Sequence, residues 1–152
     1  MKPFELDKFL LYVFSPLLLG TIVGFLFKDY FSVLEQFNRN IIIPPIAFII
    51  VWSVLYLLMG IWYYIYDRDD GEERIKKLYW ILLIVNLLFT PILFYFKNIF
   101  LAMVDVIVLL AGIGIIFVMG IKQKRKYTYL LLPYILWLLT ALTLTIDLLA
   151  NN

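Results

Sequence analysis

Three groups of side chains in this sequence are spaced so that a helix brings each group onto one face. Trp52, Tyr56, Met59 and Tyr63 recur at intervals of 4, 3 and 4, the repeat that lines one side of an α-helix. Asn86, Thr90 and either Leu93 or Phe94 do the same, and Tyr134, Trp137, Ala141 and Thr145 follow at 3, 4 and 4. Each set mixes large rings with a small or polar residue. Rings of this kind, such as Trp52, Tyr56, Phe94, Tyr134 and Trp137, can line a pocket for a flat, hydrophobic, polycyclic guest. Stacking adds about 0.5–1.5 kcal/mol per good pair beyond area burial. Packing of helix against helix is the competing use of the same stripes.

Asn86 and Asp105 bear on that choice, because both fall inside otherwise apolar segments. A charged Asp at the centre of a membrane helix costs about 2.5–3.5 kcal/mol on insertion scales. Both side chains are therefore expected to face protein. Asn86 is expected in the pocket. Asp105 serves either as a polar clamp, with Asn86, Thr90 or tyrosine hydroxyls as partners, or as a ligand contact.

Other chemistries fall away. The chain has no histidine and no cysteine, which removes disulfides, thiol nucleophiles, His general bases and Cys/His metal sites. The acids Asp67, Asp69, Asp70, Glu72 and Glu73 cluster around Gly71. A solvated charged turn accounts for them better than an acid/base pair or a cation site. A net charge of +2, dispersed along the chain, gives no electrostatic footprint for nucleic acid.

The elements that position these residues follow from composition. Of the 152 residues 64% are hydrophobic, against about 45–50% in soluble domains. A soluble domain of this length cannot bury that excess. Uncharged runs cover 9–27, 40–66, 78–96, 106–121 and 127–146, each close to the ~20 apolar residues that cross a bilayer. The sequence therefore predicts an all-α integral membrane protein with five transmembrane helices over about 9–27, 43–66, 77–97, 99–121 and 128–149, forming one membrane domain. A β-barrel is disfavoured, since the runs are continuous rather than alternating. A cleavable signal peptide is not expected: the first run is long, acids flank it, and no small-x-small site follows.

Basic residues set the expected orientation. Lys2, Lys8, Arg68, Arg74, Lys76, Lys77, Lys122, Lys124, Arg125 and Lys126 fall on one side of the five spans, and Lys28, Arg39 and Lys97 on the other. The positive-inside rule then places the amino terminus in the cytoplasm, with loop 28–42 and the carboxyl terminus outside.

Several segments resemble the TspO/MBR family, the tryptophan-rich sensory proteins and the mitochondrial translocator, or peripheral benzodiazepine receptor. Pro44-Pro45, Phe48, Val51-Trp52, Leu55-Tyr56 and Met59-Gly60 are similar to its second-helix signature. Asn86 to Thr90 followed by Leu101-Ala102 and Asp105, then Pro133-Tyr134, Trp137 and Ala141, resemble its third-, fourth- and fifth-helix elements. There are departures. Phe89 and Thr90 stand where Trp and Ser are usual, Tyr30-Phe31 where Trp-Tyr is common, and Thr145 where Asn is usual.

The resemblance implies a binding protein for planar hydrophobic ligands, tetrapyrroles such as protoporphyrin IX foremost, with a sensory or ligand-handling role. It assigns ligand contacts to Trp52, Tyr56, Asn86, Thr90, Phe94, Tyr134, Trp137 and Ala141. Porphyrin is then a ligand rather than a cofactor, and no cofactor is required. Without His or Cys a haem lacks a strong axial ligand, so metal-free porphyrin fits better. Two alternatives stay open: transport of porphyrins, and light- and oxygen-dependent porphyrin breakdown with Trp52 and Trp137 as electron donors. Gly20-x-x-x-Gly24 permits close helix approach, within the chain or in the homodimer that family members often form. The family's sterol motif at the end of the fifth helix is missing, since Thr143 to Asp147 holds neither Tyr nor Arg or Lys.

Overall fold

The computed structural model describes all 152 residues apart from the side chain of Tyr30, so the departure noted there lies outside the described residues. Five membrane-length helices follow one another: α1 (Leu6–Leu26), α2 (Pro45–Arg68), α3 (Glu73–Thr90, prolonged by a π turn over Pro91–Tyr95), α4 (Ile99–Lys122) and α5 (Leu132–Asn151, preceded by a 3-10 turn over Lys126–Leu131). At 1.5 Å per residue each of the five spans is long enough to cross a hydrocarbon layer of about 30 Å.

Local signals explain most of the boundaries. Pro45 sits in the first turn of α2, where its missing N–H is not needed. Pro91 removes a donor from α3, and the helix passes into the wider π turn before ending at Tyr95. Lys97 then takes a positive φ of 54°, and the side chain of Asn98 accepts the N–H of Leu101 at 2.9 Å to cap α4. The first turn and a half of α3 holds Glu73, Arg74, Lys76 and Lys77. Those charges belong to the helix although they lie outside its apolar run. The loop predicted over 28–42 is largely a 3-10 helix, Lys28–Gln36, with Val33 buried.

Helix α1 is peripheral and buries only Val13 and Pro16. It is drawn close to α2 by Gly60, where a Cβ would stand 2.6 Å from the Cα of Val13 and 2.5 Å from the carbonyl oxygen of Tyr12. Gly20, one half of the Gly-x-x-x-Gly pair, faces the ring of Tyr56, while Gly24 meets open space. The core runs through α2, α3, α4 and α5, with Met59, Leu83, Leu109, Ile113, Tyr134 and Leu138 almost wholly buried. Leu, Ile and Val side chains such as Leu18, Ile49, Ile84, Val108 and Leu136 stay exposed, as a surface matched to lipid requires.

The two ends of the bundle are tied differently. At the basic end, Arg68 donates two hydrogen bonds to the Lys2 carbonyl oxygen (3.1 and 2.9 Å). Arg125 reaches the Asp69 carbonyl oxygen at 3.1 Å. At the other end, the Asp147 carboxylate accepts the backbone N–H of Asn40 (2.8 Å) and of Ile41 (3.1 Å) and the Asn40 amide (3.0 Å). Asn152 and Asn38 exchange two further bonds, so loop 28–42 is fastened to the end of α5.

Candidate ligand site

One short hydrogen-bonded chain joins three helices. The Tyr56 hydroxyl on α2 donates to Asn86 Oδ1 on α3 at 2.8 Å, and Asn86 Nδ2 donates to the Tyr134 hydroxyl on α5 at 2.9 Å. All three residues are buried. Each bond contributes about 0.5–1.5 kcal/mol, and losing one partner leaves a buried polar group that costs about 1–3 kcal/mol. The stripes expected on α2, α3 and α5 therefore converge at Tyr56, Asn86 and Tyr134.

Rings pack around that chain. Trp52 stacks on Tyr56 (centroids 5.4 Å apart, planes at 30°) and stands edge-on to both Tyr134 and Trp137, each at 6.3 Å. Phe48 closes on Trp137 at 5.4 Å, a neighbour that the sequence reading did not assign to the site, although Phe48 lies one turn before Trp52. Trp52 and Tyr56 lie about 10 and 16 Å along α2 from its first residue, Pro45.

Beside Asn86 lies a small cavity of about 10 Å³, lined by Trp52, Asn86, Phe89, Val106, Leu109, Leu138 and Ala141. Three of the expected residues meet there: Trp52, Asn86 and Ala141. Phe89 and the α4 residues were not assigned to the site. Phe89 follows Asn86 by three positions and shares its face, a signal that could have been read. Thr90 and Phe94 sit further towards the loop end: Thr90 is half-buried, and Phe94 packs edge-on to Phe31 of the loop at 4.8 Å. A second, open groove of about 390 Å³ runs along the outside between α2 and α5. Ile50, Val51, Val54, Leu55, Pro133, Leu136, Trp137 and Thr140 line it.

Asp105 is buried, and its Oδ2 has no hydrogen-bond partner among the described residues. The clamp expected between Asp105 and Asn86, Thr90 or a tyrosine hydroxyl is not formed at Oδ2, and the Asn86 amide bonds the two tyrosines instead. Thr145 answers its own polarity: its hydroxyl donates back to the Ala141 and Leu142 carbonyl oxygens at 3.1 and 2.9 Å. Tyr63 leaves the Trp52 stripe and stacks on Tyr79 at 4.6 Å, nearer the basic end.

The acidic turn is consumed in pairings. Asp67 and Glu73 meet Lys76, Asp69 meets Arg125 and Tyr127, Asp70 meets Lys2, and Glu72 accepts from Gln123. Partial burial works against the charge on Arg125, but its pKa still rises, through the hydrogen bond with Tyr127 and the charge of Asp69. No group of acids that could hold a metal ion occurs among the described residues.

Together these features define a five-span α-helical membrane protein with an aromatic, polar-bridged cluster between α2, α3 and α5. The sequence model of the TspO/MBR family matches residues 12–150, and the chain belongs to that family. It is 33% identical over 92 residues to the tryptophan-rich protein TspO of Archaeoglobus fulgidus, covering 59% of this chain and 60% of that protein. It is 28% identical over 98 residues to the tryptophan-rich protein TspO of Bacillus cereus, covering 62% and 63%. The match thus spans about three-fifths of each relative's length.

Proposed function

We propose that this chain binds planar hydrophobic ligands within the membrane, tetrapyrroles such as protoporphyrin IX foremost, in a sensory or ligand-handling role. The observation that carries this reading is the Trp52–Trp137 ring pair set against the Tyr56–Asn86–Tyr134 hydrogen-bonded chain, with small Ala141 across the cavity. Rings supply stacking surface, the amide and hydroxyls supply a few oriented polar contacts, and Ala141 leaves room on α5. In this reading Asp105 supports the site from α4 and holds no metal. The basic end faces the cytoplasm, and loop 28–42 and the carboxyl terminus face outward.

A cavity of about 10 Å³ has room for no more than one water molecule, whereas ligand sites of drug size take about 300–1,000 Å³. In this reading the site is closed here, and a ligand stabilises an opened one. Protoporphyrin IX added to the purified protein should quench tryptophan fluorescence saturably. Replacing both Trp52 and Trp137 by Phe should weaken that binding at least tenfold, with Trp62 and Trp80 left as reporters. An unchanged titration in the double variant overturns the assignment. Sterol and benzodiazepine-site compounds titrated alongside rank the ligand classes.

A further inference from the structure

If the closed site opens to admit a ligand, one of its walls has to move, and the structure distinguishes the candidates. The loop end is fastened: Asp147 on α5 and Asn152 just beyond it hold Asn38, Asn40 and Ile41, and Phe31 lies against Phe94. The seam between α1 and α2 is tight, since Gly60 leaves no space for even a methyl group and Gly20 sits against the ring of Tyr56. The seam between α2 and α5 is different. Outside it runs the 390 Å³ groove, whose lining is apolar except for the Thr140 hydroxyl, which is committed to the Leu136 carbonyl oxygen at 3.1 Å. Inside it is the small cavity at Asn86.

Two rings form the partition. Trp52 lines the inner cavity, Trp137 lines the outer groove, and the rings meet edge to face at 6.3 Å with planes at 90°. Neither ring is fully buried. Displacing Trp137 would join a cavity too small for any ligand to a groove of ligand size that already opens on lipid. A planar hydrophobic molecule partitions into the bilayer, so it reaches this groove without crossing the polar loop end.

We propose that the ligand enters sideways from the bilayer, through the seam between α2 and α5, with the Trp137 ring as the movable wall against Trp52. This rests on the binding reading above and adds the route and the gate to it. Trp137 is then a ligand contact and also the residue that sets the exchange rate. The fastened loop serves as a fixed roof.

The absence of native cysteine allows a clean test. Val54→Cys with Leu136→Cys places one thiol on each wall of the groove, and a short, reducible thiol crosslinker ties α2 to α5. Protoporphyrin IX exchange is followed by its own absorbance in lipid nanodiscs, before locking, after locking and after reduction. The locked protein should load and release porphyrin at least tenfold more slowly, and reduction should restore the rate. Asp147→Ala, which frees loop residues 40 and 41, should leave both rates within twofold. A locked protein that exchanges at the unlocked rate overturns the portal, as does a tenfold acceleration by Asp147→Ala in the locked protein. Absence of saturable binding in the unlocked protein is a separate result, and it removes the binding reading itself.

Discussion

Helix α2 carries two aromatic clusters, centred on Trp52 with Tyr56 and on Trp62 with Tyr63 and Tyr66, about 15 Å apart along its axis. In the cluster nearer the basic end Trp62 stacks on Tyr66 at 4.9 Å and Tyr63 on Tyr79 at 4.6 Å. Tyr12 of α1 stands edge-on to Tyr63, and the Arg125 guanidinium covers Tyr66 at 4.7 Å. Trp62 is 0% exposed and lines neither the small cavity nor the groove. In the other cluster the two tryptophans are only half-buried, the tyrosines are hydrogen-bonded through Asn86, and there is space on both sides of the ring pair. Density of rings is therefore a poor guide to a ligand site. A polar bridge, adjoining space and incomplete burial are what separate the cluster proposed to bind ligand from the packing one.

The largest effect that tests this contrast is truncation of the packed ring. Trp62→Ala should cost about 3–5 kcal/mol of stability through the cavity it leaves, read by thermal or denaturant unfolding in detergent. Porphyrin affinity of the folded fraction should stay unchanged. Trp52→Ala should cost less stability, because Trp52 is half-buried and already borders a void, yet it should abolish tight binding. Equal stability losses, or a binding loss in Trp62→Ala alone, would erase the distinction between the clusters.

Hydroxyls give a smaller and sharper test. Tyr79 is buried with a hydroxyl that has no partner among the described residues, so Tyr79→Phe should be neutral or mildly stabilising. Tyr56→Phe and Tyr134→Phe each leave one polar atom of buried Asn86 without its partner and should cost about 1–3 kcal/mol. Asn86→Leu strands both hydroxyls at once, costs about 1–3 kcal/mol, and should weaken porphyrin binding. If Tyr79→Phe destabilised as much as Tyr134→Phe, the bridge through Asn86 would have no special standing.

The sequence made the spans legible because uninterrupted apolar runs of membrane length have few other uses. It also made Tyr56, Asn86 and Tyr134 legible, since each lies on a helical stripe beside a polar or small residue. Height along the axis was not legible. Tyr63 shares the angular face of Trp52, but eleven residues move it about 16 Å away, into the other cluster. The 3-10 helix of the loop was hidden by its charges, Lys28, Asp29 and Glu35, which read as solvent-exposed coil. The contact of Asp105 also escaped. Residue type shows that a buried carboxylate wants a donor, while the structure leaves its Oδ2 without one and turns Asn86 to the two tyrosines.

The smallest effect concerns the basic end, where the acidic turn joins neither aromatic function. Asp69 pairs with Arg125 at 3.3 Å and accepts the Tyr127 hydroxyl at 2.9 Å, and the two charged side chains keep 34% and 16% of their exposure. An ion pair so accessible to water is worth roughly 0–1 kcal/mol. Asp69→Asn should therefore lower stability by no more than about 1 kcal/mol, and raising the salt should shrink the difference by screening the pair. Porphyrin affinity should not move, because the pair ties the α2–α3 turn to the α4–α5 turn across the packed cluster from the site. An affinity change in Asp69→Asn would mean that closing the basic end also sets the geometry at Trp52, and the two clusters would then be parts of one device.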